Sequence, residues 1–371
     1  MPDSRPLILS ALAHDIHASA VCWGLEKDGL SPLWVRSWAD PSMPPISLHC
    51  DAESGLAAPA GAAGDFRSVW FRRPRMPEDF PHALDADVPF LRTEWRRHSN
   101  NLHSLAAQAT GALWVNNPAA ALEAENKMVQ LHAAREAGLE FPATLMSSDP
   151  VEIRRFAAVH GTVVYKPFQS HTWQDAATGR MFSSYARVVD ADMLRDDASL
   201  RQCPGIYQKL VDKQYDLRVT VIGDQAFAAR LDSPPQGDFI DWRIASLAET
   251  MRASAAELPS SYLDRLRDFM RRLRIVFGCV DLAVDSEGVP HFLEVNQAGQ
   301  FLFVEQAVPS LPLLRATCAL LSQGRPDYSL DAAPRLSYQE YLDSDRHHAW
   351  WATASEGLRR TDGAIPGVTV E

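Results

Sequence analysis

His291-Phe292-Leu293-Glu294-Val295-Asn296-Gln297-Ala298-Gly299-Gln300-Phe301 interleaves apolar and polar residues and reads as a strand. Phe292, Leu293 and Val295 can pack while Glu294 and Asn296 point the other way. Two oxygen-bearing side chains two residues apart share one face of a strand, about 7 Å apart along it. Hard divalent cations prefer such carboxylate and amide oxygens. Upstream, Cys279-Val280-Asp281-Leu282-Ala283-Val284 is a second apolar strand carrying one acid, Asp281. Asp285-Ser286-Glu287-Gly288 between them is turn chemistry, so a hairpin can set Asp281 beside Glu294 and Asn296. Three oxygen ligands would then converge on one or two Mg²⁺ ions. The plainer reading is an ordinary hairpin with a solvated polar face, and spacing alone does not choose between them.

The chain has 371 residues, long enough for two or three domains or one elaborated domain. Its hydrophobic fraction of 46% and charged fraction of 22% are those of a globular protein with ample core. A net charge of −11 argues against broad binding to a phosphate backbone, so no nucleic-acid partner is expected. Cys22, Cys50, Cys203, Cys279 and Cys318 are scattered without a CxxC pair, which reads as reduced core thiols in a cytoplasmic protein. No signal-peptide pattern or apolar stretch of transmembrane length is present, so no membrane partner is expected.

Strands over 6–12, 33–38 and 68–73, with a helix from His14 to Leu25, predict a small α/β domain ending near residue 116. A helix is expected over 93–110 and a short strand over 113–116. Asn117-Pro118 then caps one helix running to Gly138. Lys127 lies inside that helix, where the plain reading pairs it with Glu123 at i,i+4. After a helix over 150–159, the strand 162–167 ends on Lys166, which must reach solvent or an anion. Residues 169–182 read as a polar loop able to fold over phosphates, and 183–189 as another strand. Strands follow over 205–211, 216–224 and 226–231, carrying Arg218 and Arg230, whose plain reading is interstrand ion pairs. A Pro/Gly-containing loop leads to Asp241-Trp242-Arg243. Residues 261–277 predict a helix with Ser261 as N-cap, Asp264 completing a capping box and its arginines solvated. A last core helix is expected over 309–321. The tail, with His347-His348 and Trp350-Trp351, reads as a surface-wrapping extension.

The ordered set resembles an ATP-grasp ligase over roughly residues 112 to 322. It comprises a helix lysine (Lys127), a strand lysine (Lys166), a strand leading to a hinge (Gln208 to Val211), Asp216 with Arg218, then Asp281, Glu294 and Asn296. Asp241-Trp242-Arg243, Asn296 to Phe301, Trp70-Phe71-Arg72-Arg73 and Asn116-Asn117-Pro118 resemble the microviridin-type graspetide synthetases, which cross-link ribosomal precursor peptides. Where that group often has an NPxGQW-like run, this chain has Gln297-Ala298 and Phe301.

The resemblance implies an α/β (α+β) ATP-grasp fold with a pre-ATP-grasp domain over 1–116. Subdomains would follow over 117–204 and 205–325, with an extension over 326–371. It implies ATP and Mg²⁺ as cofactors, and a precursor peptide with a leader segment as partner, and it leaves room for a homodimer. Lys127 and Lys166 would contact phosphates, and Gln208, Lys209, Leu210 and Val211 would hold adenine, mostly by backbone. Asp281, Glu294 and Asn296 would bind Mg²⁺, and Arg218 and Arg243 would face the acyl phosphate or the substrate carboxylate. The expected reaction is activation of Asp or Glu side chains and closure of ω-esters or ω-amides. Two rivals stand beside it: an amino-acid-adding ligase of the RimK or glutathione-synthetase type, and a nucleotide-binding protein without catalysis.

Overall fold

The strands Phe277–Asp285 and Pro290–Asn296 pair as the expected hairpin. Asp285 organises the turn, accepting from the Glu287 and Val289 amides, and Gly288 supplies the positive φ of 80° that lets the chain reverse. The register shifts by one residue between Asp281 and Leu282: Asp281 faces Glu294, but Leu282 faces Phe292, so Leu293 is extra. This bulge resolves a conflict in the sequence. By strict alternation Phe292 and Glu294 would share a face. With Leu293 inserted, Phe292 and Val295 enter the core, and Glu294 and Asn296 lie on the opposite face.

The computed structural model describes residues 5–10, 15–35, 49–53, 55–57, 66–72, 74, 80, 82–109, 111–168, 172–175, 178–184, 186–232 and 252–362. The hairpin is the edge of a five-stranded antiparallel sheet in the order Arg252–Ala256, Gln225–Asp232, Lys213–Ile222, Phe277–Asp285, Pro290–Asn296. Its apolar face is covered by the helices Lys127–Glu136 and Ser260–Arg272, with Phe269 packing on Phe292. A second antiparallel sheet has the order Arg187–Val188, Val163–Lys166, Gly205–Lys209, Thr144–Ser147. A third, all parallel, has the order Leu33–Val35, Arg5–Ser10, Phe66–Arg72, Leu113–Val115. It packs with the helix Ile16–Lys27, and that helix joins the five-stranded sheet and the helix Leu313–Gln323 in one core.

Several expectations shift. The single helix over 119–138 is two, Pro118–Ala124 and Lys127–Glu136, because the Asn126 side chain caps a fresh start by accepting from the Met128 and Val129 amides. The helix expected from 93 begins earlier, at Val88. The helix expected over 261–277 ends at Arg272. Arg274 there takes a φ of 56°, and the next strand starts at Phe277. Ser261 and Asp264 form no cap; the N-cap is Pro259, and Asp264 pairs with Arg267 instead. The expected strand 183–189 is split between Met181–Ser183 and Arg187–Val188, which belong to different sheets. The polar loop expected over 169–182 includes a hairpin, Thr172–Gln174 with Met181–Ser183. Trp173 and Phe182 stack on it with centroids 5.7 Å apart. The tail is a surface element only in part: Tyr338 and Tyr341 are buried in the largest core, where Tyr341 meets Trp23 edge-on, while most of residues 345–353 are exposed. No helix among the described residues is long and apolar enough to cross a membrane.

Candidate active site

Three neighbouring strands of the five-stranded sheet place Arg218, Asp281 and Glu294 side by side in one row. Antiparallel partners directly opposite share a face, so the row follows from register alone. Arg218 and Asp281 are buried, and Arg218 Nη1 donates to both Asp281 oxygens at 2.8 and 2.9 Å. Burial opposes the charge on Arg218. The Asp281 carboxylate outweighs it, with Cys279 and Glu294 adding to the effect, so the guanidinium stays charged well above its ordinary range. One row further along, Asn296 stands opposite Cys279, and its amide nitrogen lies 3.4 Å from Glu294 Oε1.

Lys127 is the first residue of its helix, and the break at Asn126 is what aims it. Its Nζ donates to Glu294 Oε2 at 2.6 Å. The expected partner, Glu123, pairs with Arg274 instead. Arg230 likewise pairs along its own strand, with Asp232, rather than across strands.

A second group forms on the four-stranded sheet. Lys166 Nζ donates to Gln208 Oε1 at 2.6 Å, and Gln208 Nε2 donates to Thr144 Oγ1 at 2.9 Å. Lys166 is thereby tied to the strand that leads into Lys209 to Val211. The Lys209 and Leu210 amides donate to Ala143 O and Thr162 O at 2.9 Å each. Any base held by this segment would meet its carbonyl oxygens and Val211 rather than those two N–H groups.

Thus Lys127, Arg218, Asp281, Glu294 and Asn296 come together, and Lys166 with Gln208 to Val211 forms the other group. Arg243, with Asp241 and Trp242, lies outside the described residues. Gln130 belongs to the site's support and was not expected from the sequence. It receives the Val295 amide on Oε1 and donates Nε2 to Val295 O, both at 3.0 Å, so the edge strand carrying Glu294 is paired by a side chain. A glutamine on the apolar stripe of a helix was the available signal.

The donor set fits a magnesium ion. Asp281 and Glu294 would supply carboxylates and Asn296 an amide oxygen. Mg²⁺ is held through one or two carboxylates plus phosphate oxygens and water. Among the described residues no group of three or more His, Cys, Asp or Glu side chains could hold a metal, so nucleotide oxygens would have to complete the shell.

No protein-family profile matches the sequence, and no curated protein matches it. Solved structures do. The RiPP-associated ATP-grasp ligase of Chryseobacterium gregarium, in complex with ADP and a leader and core peptide, is 22% identical. That match has a TM-score of 0.74 and covers 90% of this chain and 98% of the other. The macrocyclase MdnB of Microcystis aeruginosa MRC is 27% identical at a TM-score of 0.66, covering 86% and 99%. The ATP-grasp ligase PsnB, complexed with minimal precursor, Mg and ADP, is 21% identical at 0.66, covering 88% and 98%. The chain has the ATP-grasp fold, and its structural likeness is to graspetide-type ATP-grasp synthetases.

Proposed function

We propose that the protein is an ATP-dependent carboxylate ligase that activates Asp or Glu side chains of a ribosomally made precursor peptide and closes ω-ester or ω-amide links within it. The observation that carries this is the row Arg218–Asp281–Glu294, with Asn296 beside it and Lys127 on Glu294. The likeness to ligases solved with leader and core peptides, ADP and Mg supports the choice of substrate and cofactors.

In the first half-reaction a peptide carboxylate oxygen attacks the γ-phosphorus of ATP. The bond to the bridging oxygen breaks, giving ADP and an acyl phosphate. Both reactants are anions, so the site must neutralise charge that builds up between them. A bound Mg²⁺ would supply screening for that charge. Asp281 and Glu294 would hold it with Asn296. Lys127 balances Glu294, and its Nζ is placed to turn to a phosphate once that carboxylate has another counter-ion. Lys166 would take a second phosphate, with Gln208 to Val211 against the base. Arg218 fixes Asp281, and Arg243 is assigned to the donor carboxylate. In the second half-reaction a Ser or Thr hydroxyl, or a Lys amine, attacks the acyl carbon and phosphate leaves. Water would destroy the acyl phosphate, which gives the Thr172–Ser183 hairpin region its assigned role as a cover.

The test is to incubate the purified protein with ATP, Mg²⁺ and a candidate precursor, following ADP release and peptide mass. Each closure leaves the peptide one water lighter. A protein that lengthens its substrate by an amino acid, with ADP release, would replace this reading with the amino-acid-adding ligase.

A further inference from the structure

The six residues after Asn296 form no strand, yet side chains from four separate places hold their backbone. Asn116 Nδ2 donates to Gln297 O at 2.9 Å. Arg72 Nη1 lies 3.4 Å from both Ala298 O and Gly299 O. Arg218 Nη2 donates to Gln300 O at 3.1 Å. The Phe301 and Leu302 amides both donate to His17 Nε2, at 3.1 and 3.3 Å. An imidazole nitrogen that accepts carries no proton, so Nδ1 of His17 is the protonated one.

The two N-terminal clamps are themselves tied together. Asp15 Oδ2 accepts from Arg72 Nε at 2.8 Å and from the Ser10 hydroxyl at 2.6 Å. Asp15 Oδ1 accepts from the His17 amide at 3.0 Å and caps the helix that carries His17. All three side chains are buried. The loop they hold lies flush on the charged row. A Cβ on Gly299 would come within 2.7 Å of Cys279 Cβ and 3.2 Å of Arg218 Nη2. The loop therefore cannot slide without moving Arg218 or Asn296.

We infer that Asp15 and His17, at the start of the helix Ile16–Lys27, and Arg72, at the end of the strand Phe66–Arg72, are positioning residues that set the loop 297–302, and through it Asn296 and Arg218, for binding of magnesium nucleotide. The inference rests on the ligase reading for its chemistry, and on the hydrogen bonds for the clamp itself. These residues touch no reacting atom. They act as the outer partners of a metal site act, by holding the ligands' own supports.

The experiment compares His17→Leu, His17→Gln, Arg72→Lys and Ser68→Ala in the full chain. Ser68 joins the same two parts of the molecule by donating to Leu321 O at 2.7 Å, away from the loop, and so controls for loosened docking. Two readouts are taken: amide hydrogen exchange at Phe301 and Leu302, and the Mg²⁺ concentration giving half-maximal ADP binding by calorimetry. His17→Leu should speed exchange at both amides and raise the Mg²⁺ requirement roughly tenfold, the scale of an outer-partner loss. His17→Gln keeps an acceptor oxygen and should recover most of both. Arg72→Lys loses the fork that reaches Asp15 and two carbonyls at once, and should behave like His17→Leu. Ser68→Ala should lower the melting temperature and leave both readouts at wild type. Wild-type exchange and Mg²⁺ dependence in His17→Leu would overturn the inference, and so would an equal shift in Ser68→Ala. A wild-type protein that bound no nucleotide would overturn the ligase reading, and amide exchange alone would then decide the clamp.

Discussion

Lys127 shows what one residue can and cannot contribute. Its ammonium and the Glu294 carboxylate are about one-fifth exposed, with side-chain accessibilities of 20% and 23%. A pair so placed adds little stability, about 1 kcal/mol or less. Lys127→Ala should therefore melt close to wild type while losing nucleotide affinity by on the order of tenfold, the weight of one charge-assisted bond. Calorimetric titration with ADP and Mg²⁺ checks this; unchanged affinity would leave Lys127 a counter-ion for Glu294 and nothing more. His103 makes the opposite case. It is buried edge-on against Phe71, and that burial, with His98 nearby, pulls its pKa from 6.5 down to about 4. The folded state thus favours the neutral ring. Its contribution is fully present above pH 6.5 and is lost as pH falls from there to about 4. The loss should be on the order of 3 kcal/mol, and urea midpoints for His103→Leu should lack that slope between the two pH values.

At the scale of elements, the edge strand Pro290–Asn296 is the vulnerable piece. It carries two proposed ligands and, among the described residues, has a neighbouring strand on one side only. Gln130 stands in for the missing strand, and the Phe292 amide is taken by Glu140 O at 2.7 Å. Gln130→Ala would leave both Val295 backbone groups without a side-chain partner in a buried place. Each unsatisfied group costs roughly 1–3 kcal/mol, so a loss of about 2–6 kcal/mol is expected for the two. Urea denaturation gives the magnitude, and faster exchange of the Val295 amide locates it; wild-type exchange there would show the strand to be held by its neighbour alone. The bulge at Leu293 belongs to the same scale. It lets one short strand bury Phe292 and Val295 and still present Glu294 and Asn296 together.

In the whole molecule, the largest core is assembled from both ends of the chain and the five-stranded sheet. It joins Ile8 and Trp23 to Phe277 and Phe301, and on to Tyr338 and Tyr341. Removing a fully buried aromatic costs about 3–5 kcal/mol. Tyr341→Ala should therefore destabilise the entire fold in one cooperative transition, although it lies far along the sequence from the active site. Thermal melting followed by near-ultraviolet circular dichroism reports this. A separate early transition with the main one unmoved would instead make the tail an independent unit.

Local pattern was enough to find the hairpin, the ordered acids and lysines and most of the strands, but not the sheet strands Thr144–Ser147 and Arg252–Ala256. Period-2 alternation and turn residues act between near neighbours, so the placing of Asp281 beside Glu294 was legible in the sequence. The resemblance gave Lys127, Lys166 and Arg218 a common purpose with them, and the structure brings Lys127 and Arg218, but not Lys166, to the acids. Contacts between distant residues were not legible. An interstrand ion pair was the plain reading of Arg218 and the structure has it, but its partner Asp281 was not named by the sequence. The partner of Lys127, the Gln130 bridge and the clamp by His17 and Arg72 likewise join residues separated by tens to hundreds of positions, and no local period encodes them. The bulge, too, was hidden: a strand reads the same with or without an extra residue until its partner fixes the register. The sequence by itself determined the central hairpin, most of the strands and the charged residues they carry; tertiary structure decided which of them meet, because burial and register are properties of pairs.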